Sequence, residues 1–189
     1  MFSQWNVDSP MAEMPGVCIV VSIILIVAAV IDGWKLKVPN WITYPMVFAG
    51  WAFSAYMFGF NGLVASLIGT VVGLALLLPA YAIGGMGAGD VKLLAGVGAW
   101  VWGWTTFYAF CVSAVIGGLI ALGMVLYRKN FQHHAGQFKA ILTEIFVVRD
   151  PNQLAALAAE RKSSMLLLPY GIPIAIGTIA YFAFMGLLL

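Results

Sequence analysis

Residues 16–31 read GVCIVVSIILIVAAVI, and residues 32–40 continue DGWKLKVPN. The first stretch is apolar apart from Ser22, whose hydroxyl can bond back to its own helix backbone. It is long enough for a slightly short membrane crossing, ending at Asp32. The second stretch is a polar break in which Pro39 and Asn40 suit a turn that opens the next helix. Such punctuation predicts helices in lipid, where a helix satisfies every backbone N–H and C=O within its own segment.

Working outward, the pattern recurs. A second helix is expected from about Trp41 to Phe58, then a turn over residues 59–62, then a third apolar run from Leu63 to Ile83 with Pro79 as a kink. Residues 84–90, GGMGAGD, interrupt it. From Val91 to Tyr127 the only charge is Lys92; the run is too long for one crossing and reads as two short helices joined near Gly103. Trp100, Trp102 and Trp104 cluster there and place that turn in the headgroup zone. Residues 128–164 hold most of the remaining charge and read as an aqueous loop, within which Asp150 and Pro151 open a helix along the membrane surface. The last crossing covers roughly Leu166 to Leu189. The expected fold is an all-α polytopic membrane bundle of about six transmembrane helices. Residues 1–15 form an external tail without the basic region of a secretory signal, and residues 16–189 a single membrane-embedded domain including the 128–164 loop.

Composition agrees. The chain of 189 residues is 63% hydrophobic and 8% charged, with a mean hydropathy of +1.00. Nine Lys and Arg with seven Asp and Glu cannot coat a soluble domain, so most of the exterior must face a lipid bilayer. The net charge of +2, without basic residues interleaved with exposed aromatics, gives a nucleic-acid partner no support. Cys18 and Cys111 each sit in an apolar run, which argues against a disulfide framework or zinc site. All nine Lys and Arg lie in or beside residues 32–40, 84–92 and 128–164, so those segments are expected in the cytoplasm and the N-terminus outside.

That topology brings two carboxyls to one depth. Asp32 closes the first helix and Asp90 opens the fourth on the same side, and ionisable residues at the edge of apolar spans are functional candidates. Two acids sharing a site suit aspartic chemistry: one carboxylate takes a proton from an attacking water while its protonated partner donates to the developing oxyanion and then to the leaving amine. Helix polarity assigns Asp90, at a helix start, as the anion and Asp32, at a helix end, as the acid. The plainer reading makes each Asp an interfacial cap. Gly84, Gly85, Gly87 and Gly89 exceed what a simple turn needs and allow close approach of a substrate backbone. No metal or organic cofactor is required by the residues present.

Together these motifs resemble the type IV prepilin leader peptidases, membrane aspartic proteases of the GxGD class. Residues 32–40, DGWKLKVPN, resemble the family's first aspartate followed by a basic stretch and Val-Pro-Asn; residues 87–93, GAGDVKL, resemble the second motif. The likeness spans roughly residues 17–128, and LPYG at 168–171 echoes a Pro-aromatic-Gly element near the family's C-terminus. It implies that Asp32 and Asp90 are the catalytic pair, with Gly87, Gly89, Lys92, Pro39 and Asn40 binding substrate or shaping the loops. It further implies a prepilin or pseudopilin precursor as substrate, cut on the cytoplasmic side of a bacterial inner membrane between a short basic leader and an apolar helix. Larger members carry paired Cys-x-x-Cys motifs linked to N-methylation; this chain has none and is more similar to the short peptidases of tight-adherence (Flp) systems. Trp34 stands where a basic residue is frequent.

Other residues read more plainly. His133 and His134 are adjacent, a poor spacing for joint metal ligation on a helix. Lys35 and Lys37 enforce topology, and Glu144 and Asp150 are solvated charges. Lys92 either tunes the acid pair or snorkels to the interface. Gly69 with Gly73, and Gly117 with Gly118, are helix-packing sites. The competing functions are a small proton-coupled transporter and a non-catalytic pilus assembly factor.

Overall fold

The computed structural model describes Pro10 and residues 14–82, 85–127 and 169–188. The 128–164 loop with its surface helix, His133, His134, Glu144, Gly84, the start of the last crossing and most of the N-terminal tail lie outside the described residues. Among the described residues there are four helices and no strand: α1 (Pro15–Lys35), α2 (Asn40–Ala82), α3 (Ala88–Tyr127) and α4 (Gly171–Phe184). The first three are long and apolar enough to cross a membrane.

On α1, Val17, Val21, Leu25, Ala28 and Asp32 are buried, whereas Ile19, Ile23, Ile26 and Val30 are exposed. Both sets recur every three or four residues, so each occupies one helix face, and Asp32 ends the face turned to the bundle. The expected Ser22 back-bond is present, its hydroxyl donating to the Cys18 carbonyl at 2.7 Å. Helix α1 does not end at Asp32 but continues to Lys35. Leu36 then turns left-handed at φ 51°, and its N–H closes on the Asp32 carbonyl at 2.8 Å.

Helix α2 folds back on itself. The Trp51 indole N–H donates to Thr70 Oγ1 at 2.9 Å, although nineteen residues of straight helix would span about 28 Å. The reversal needs one residue, Gly59, at φ 61°, a conformation open to a residue without a side chain. The expected turn over residues 59–62 thus contracts to its first glycine, and the Ser54 hydroxyl closes it by donating to the Gly62 carbonyl at 2.8 Å. Pro79 lies inside the helix, where the only non-helical residue is Gly59.

Helix α3 breaks at Trp102, φ 62°, one residue before the glycine expected to do so. A tryptophan tolerates that backbone when its ring is anchored. Here its indole N–H donates to Ser54 Oγ at 3.1 Å and its ring meets Phe58 edge-on at 5.5 Å. Trp100 turns into the protein: it is 8% exposed, donates to the Met46 carbonyl at 2.9 Å and stacks on Phe53. Trp104 is the exposed member of the three.

The arm of α3 before Trp102 is the hub, with Val91, Leu93, Leu94, Val97 and Val101 all buried. Gly69 and Gly73 of α2 meet the backbone of Gly98 and Ala95, an approach that any side chain would block. Beyond Trp102 the chain returns along α4: Tyr108 stacks on Tyr181 and Gly117 touches Pro173. At Gly118, expected to share that packing role, an added Cβ would meet no other part of the described residues within 4 Å, because the position lies on the outward side of the helix.

Candidate active site

Asp32 is 2% exposed. Its Oδ2 accepts the Gly171 N–H at 2.9 Å. Gly171 is the first residue of α4, so the carboxyl sits at that helix's N-terminus, where backbone N–H groups lack internal partners and favour an acceptor. The position demands glycine, since a Cβ there would come within 2.8 Å of the same carboxylate oxygen. Asp32 is therefore not only a residue at a helix end. It joins the end of α1 to the start of α4, and the Pro169-Tyr170-Gly171 element delivers the donor.

Asp90 is 5% exposed and stands in the first turn of α3. Its Oδ2 accepts the Gly87 N–H at 3.1 Å, while its own N–H donates to the Gly87 carbonyl at 3.2 Å. This is the reaching-back contact of a capping box, so the plain cap reading describes one carboxyl oxygen correctly. Both acids thus face helix N-termini, and helix polarity no longer separates an acid from an anion. The dipole argument loses its basis because α4, distant in sequence, brings its N-terminus to Asp32.

The two motifs meet at this end of the bundle. Gly89 packs on Val38, where a Cβ would fall 2.7 Å from the Val38 carbonyl oxygen. Pro39 and Asn40 follow directly, the Pro39 carbonyl accepting the Ile42 N–H at 3.1 Å as α2 begins. The Lys92 ammonium donates to Asn40 Oδ1 at 3.0 Å and to the Tyr44 phenol oxygen at 3.1 Å. Lys35, Lys37 and Trp34 are exposed. Between α1 and α4 runs an apolar groove of about 820 Å³, and its lining includes Gly33 and Ile172, the neighbours of Asp32 and Gly171.

Residues 19–122 match the model of the type IV leader peptidase family. The chain belongs to this family. It is similar to the prepilin leader peptidase/N-methyltransferase of Aeromonas hydrophila, 32% identical over 117 residues, which covers 58% of this chain and 40% of that protein. The same-named protein of Aeromonas salmonicida (strain A449) is 31% identical over the same shares. The chain therefore spans 40% of the length of these curated relatives. No solved structure matches.

Asp32, Asn40, Gly87, Gly89, Asp90 and Lys92 all fall inside the stretch matched to the leader peptidase family, whereas Gly171 lies beyond it. Sequence reasoning missed two residues at this site. Tyr44 carried a signal, standing one helical turn after Asn40. Gly171 was visible as part of LPYG, but nothing in the spacing said that its N–H reaches Asp32.

Proposed function

We propose that the chain is an integral membrane endopeptidase of aspartic type that removes the leader from prepilin-like precursors. The observation that carries this reading is the meeting of the two family motifs at one end of the bundle, Val38 on Gly89 and Asn40 on Lys92, with Asp90 in that same turn of α3 and both carboxyls buried. In the proposed reaction Asp32 and Asp90 share one proton, because two like charges held close resist joint ionisation. The ionised member takes a proton from water as the water oxygen attacks the scissile carbonyl. The protonated member donates to the developing oxyanion. When the tetrahedral gem-diol collapses, the carboxyl that took the water proton gives it to the leaving amine while its partner takes back a proton from a gem-diol hydroxyl, so the pair returns to its starting, singly protonated state.

The helical reversals at Gly59 and Trp102 support six antiparallel segments, and we propose that each crosses the bacterial inner membrane. Lys35, Lys37 and Lys92 at the motif end favour placing that end in the cytoplasm and the N-terminus outside. The substrate is then a precursor whose basic leader stays in the cytoplasm and whose apolar helix lies in the bilayer. Small Flp-type pilins are the precursors proposed here, and N-methylation is not part of the proposal.

Purified protein in detergent, incubated with such a precursor, is expected to release a product whose new N-terminus lies at the leader–helix junction, read by N-terminal sequencing. Either Asp→Asn change should slow release by about a thousandfold, within the usual contribution of an acid–base group. Cleavage that survives both changes rejects the mechanism, and proton flux in liposomes without cleavage supports a transporter instead.

A further inference from the structure

We propose that Tyr44 is a positioning residue: with Asn40 it clasps Lys92, and the clasp fixes the first turn of α3, and so the Asp90 carboxyl, against the start of α2. The inference rests on the peptidase reading above and adds to it a residue that the two motifs do not contain.

The geometry is specific. The Lys92 ammonium lies 3.0 Å from Asn40 Oδ1, 3.1 Å from the Tyr44 phenol oxygen and 4.8 Å from the Tyr44 ring centroid. Asn40 and Tyr44 are one turn apart on the same face of α2, which lets a single cation reach both. Lys92 follows Asp90 by two residues, about 200° around the helix, so the cation and the carboxyl leave α3 on opposite sides. A cation engaged by two neutral acceptors on the far side of the helix is placed to hold the helix rather than to tune the acid. The need for a hold is also visible. Gly89 meets Val38 without a side chain of its own, so that contact has no interlocking side chains to resist sliding. The charge-assisted bonds from Lys92 supply a directional link at the same end of α3.

The test uses the full chain with a precursor peptide carrying a basic leader and an apolar helix. Lys92→Met is expected to lower kcat about tenfold or more with KM within about twofold, as a misplaced reacting group does. The pH profile of kcat should not move. Tyr44→Phe should cost about threefold, and Lys92→Met/Tyr44→Phe should be no slower than Lys92→Met alone, because both remove one link. Lys92→Arg should restore part of the rate. A displaced pH profile, multiplying losses, or an unchanged kcat in every variant overturns the clasp.

A second readout does not require cleavage. Acetylation of Lys92 in the purified chain, followed by mass spectrometry, should quicken about threefold in Tyr44→Phe and in Asn40→Ala, since a released amine is more accessible. An unchanged acetylation rate overturns the clasp. Failure of the parent chain to cut any precursor overturns the peptidase reading alone and leaves the clasp to be judged on acetylation.

Discussion

Asp90 is held from three residues away, by the Gly87 N–H of its own loop, whereas Asp32 is held from 139 residues away, by the Gly171 N–H at the start of α4. The contact is the same and the routes to it differ. The loop before α3 orients Asp90 locally, and the clasp and the Val38 contact then dock that preformed turn onto α2. Asp32 acquires its donor only when α1 and α4 pack together. The Asp90 half should therefore tolerate damage to the distant helices, and the Asp32 half should not.

Glycine substitutions break or sharpen this contrast. Gly171→Ala places a Cβ within 2.8 Å of Asp32 Oδ2 and 3.1 Å of Asp32 Cβ, leaving neither carboxyl nor helix room to stay in place. It should lower kcat by about a hundredfold, the scale of an ångström-level misplacement. Gly87→Ala leaves its new Cβ 3.2 Å from Asp90 Oδ2, a fit met by a few tenths of an ångström of local movement, and should cost only about fivefold. Equal losses in the two variants, measured in the same cleavage assay, would remove the local-versus-distant distinction.

Two further changes are read by stability. Gly89→Ala drives a Cβ toward the Val38 carbonyl at 2.7 Å and the Val38 Cβ at 3.0 Å. Overpacking of this kind should destabilise the folded protein by about 1–3 kcal/mol, seen as earlier thermal unfolding in detergent. Gly118→Ala, whose new Cβ would meet nothing within 4 Å among the described residues beyond its own stretch of helix, should leave stability unchanged or raise it by about 0.5–1 kcal/mol, because alanine loses less backbone freedom in a helix. A large loss at Gly118 would reveal a packing partner on the outward face of α3.

Much of this was legible in the sequence, for reasons that follow the same divide. Local features could be read: the apolar run ending in Asp32, the break at Gly59, and the first turn of α3 with its glycines. The break near residue 103 was placed within one residue because the apolar run exceeded a single crossing. That Trp102 takes it was not legible, since its cost is met by Ser54 and Phe58 on another helix. That Trp100 packs inside the protein was not legible for a related reason. Its amphipathic ring suits the interface, but the Met46 carbonyl gives its N–H a partner inside the protein. Helix polarity alone does not assign acid and anion, because only the folded chain shows α4 presenting its N-terminus to Asp32.

The central claim is that Asp32 and Asp90 work as one catalytic unit, and a double-variant comparison tests it most directly. Leader release is timed for the parent chain, for D32N, for D90N and for the two changes combined. The account predicts that each single change removes about three orders of magnitude and that the combination is no slower than the worse single change, as for groups acting as a unit. Losses that multiply, or full activity in either single variant, would contradict it.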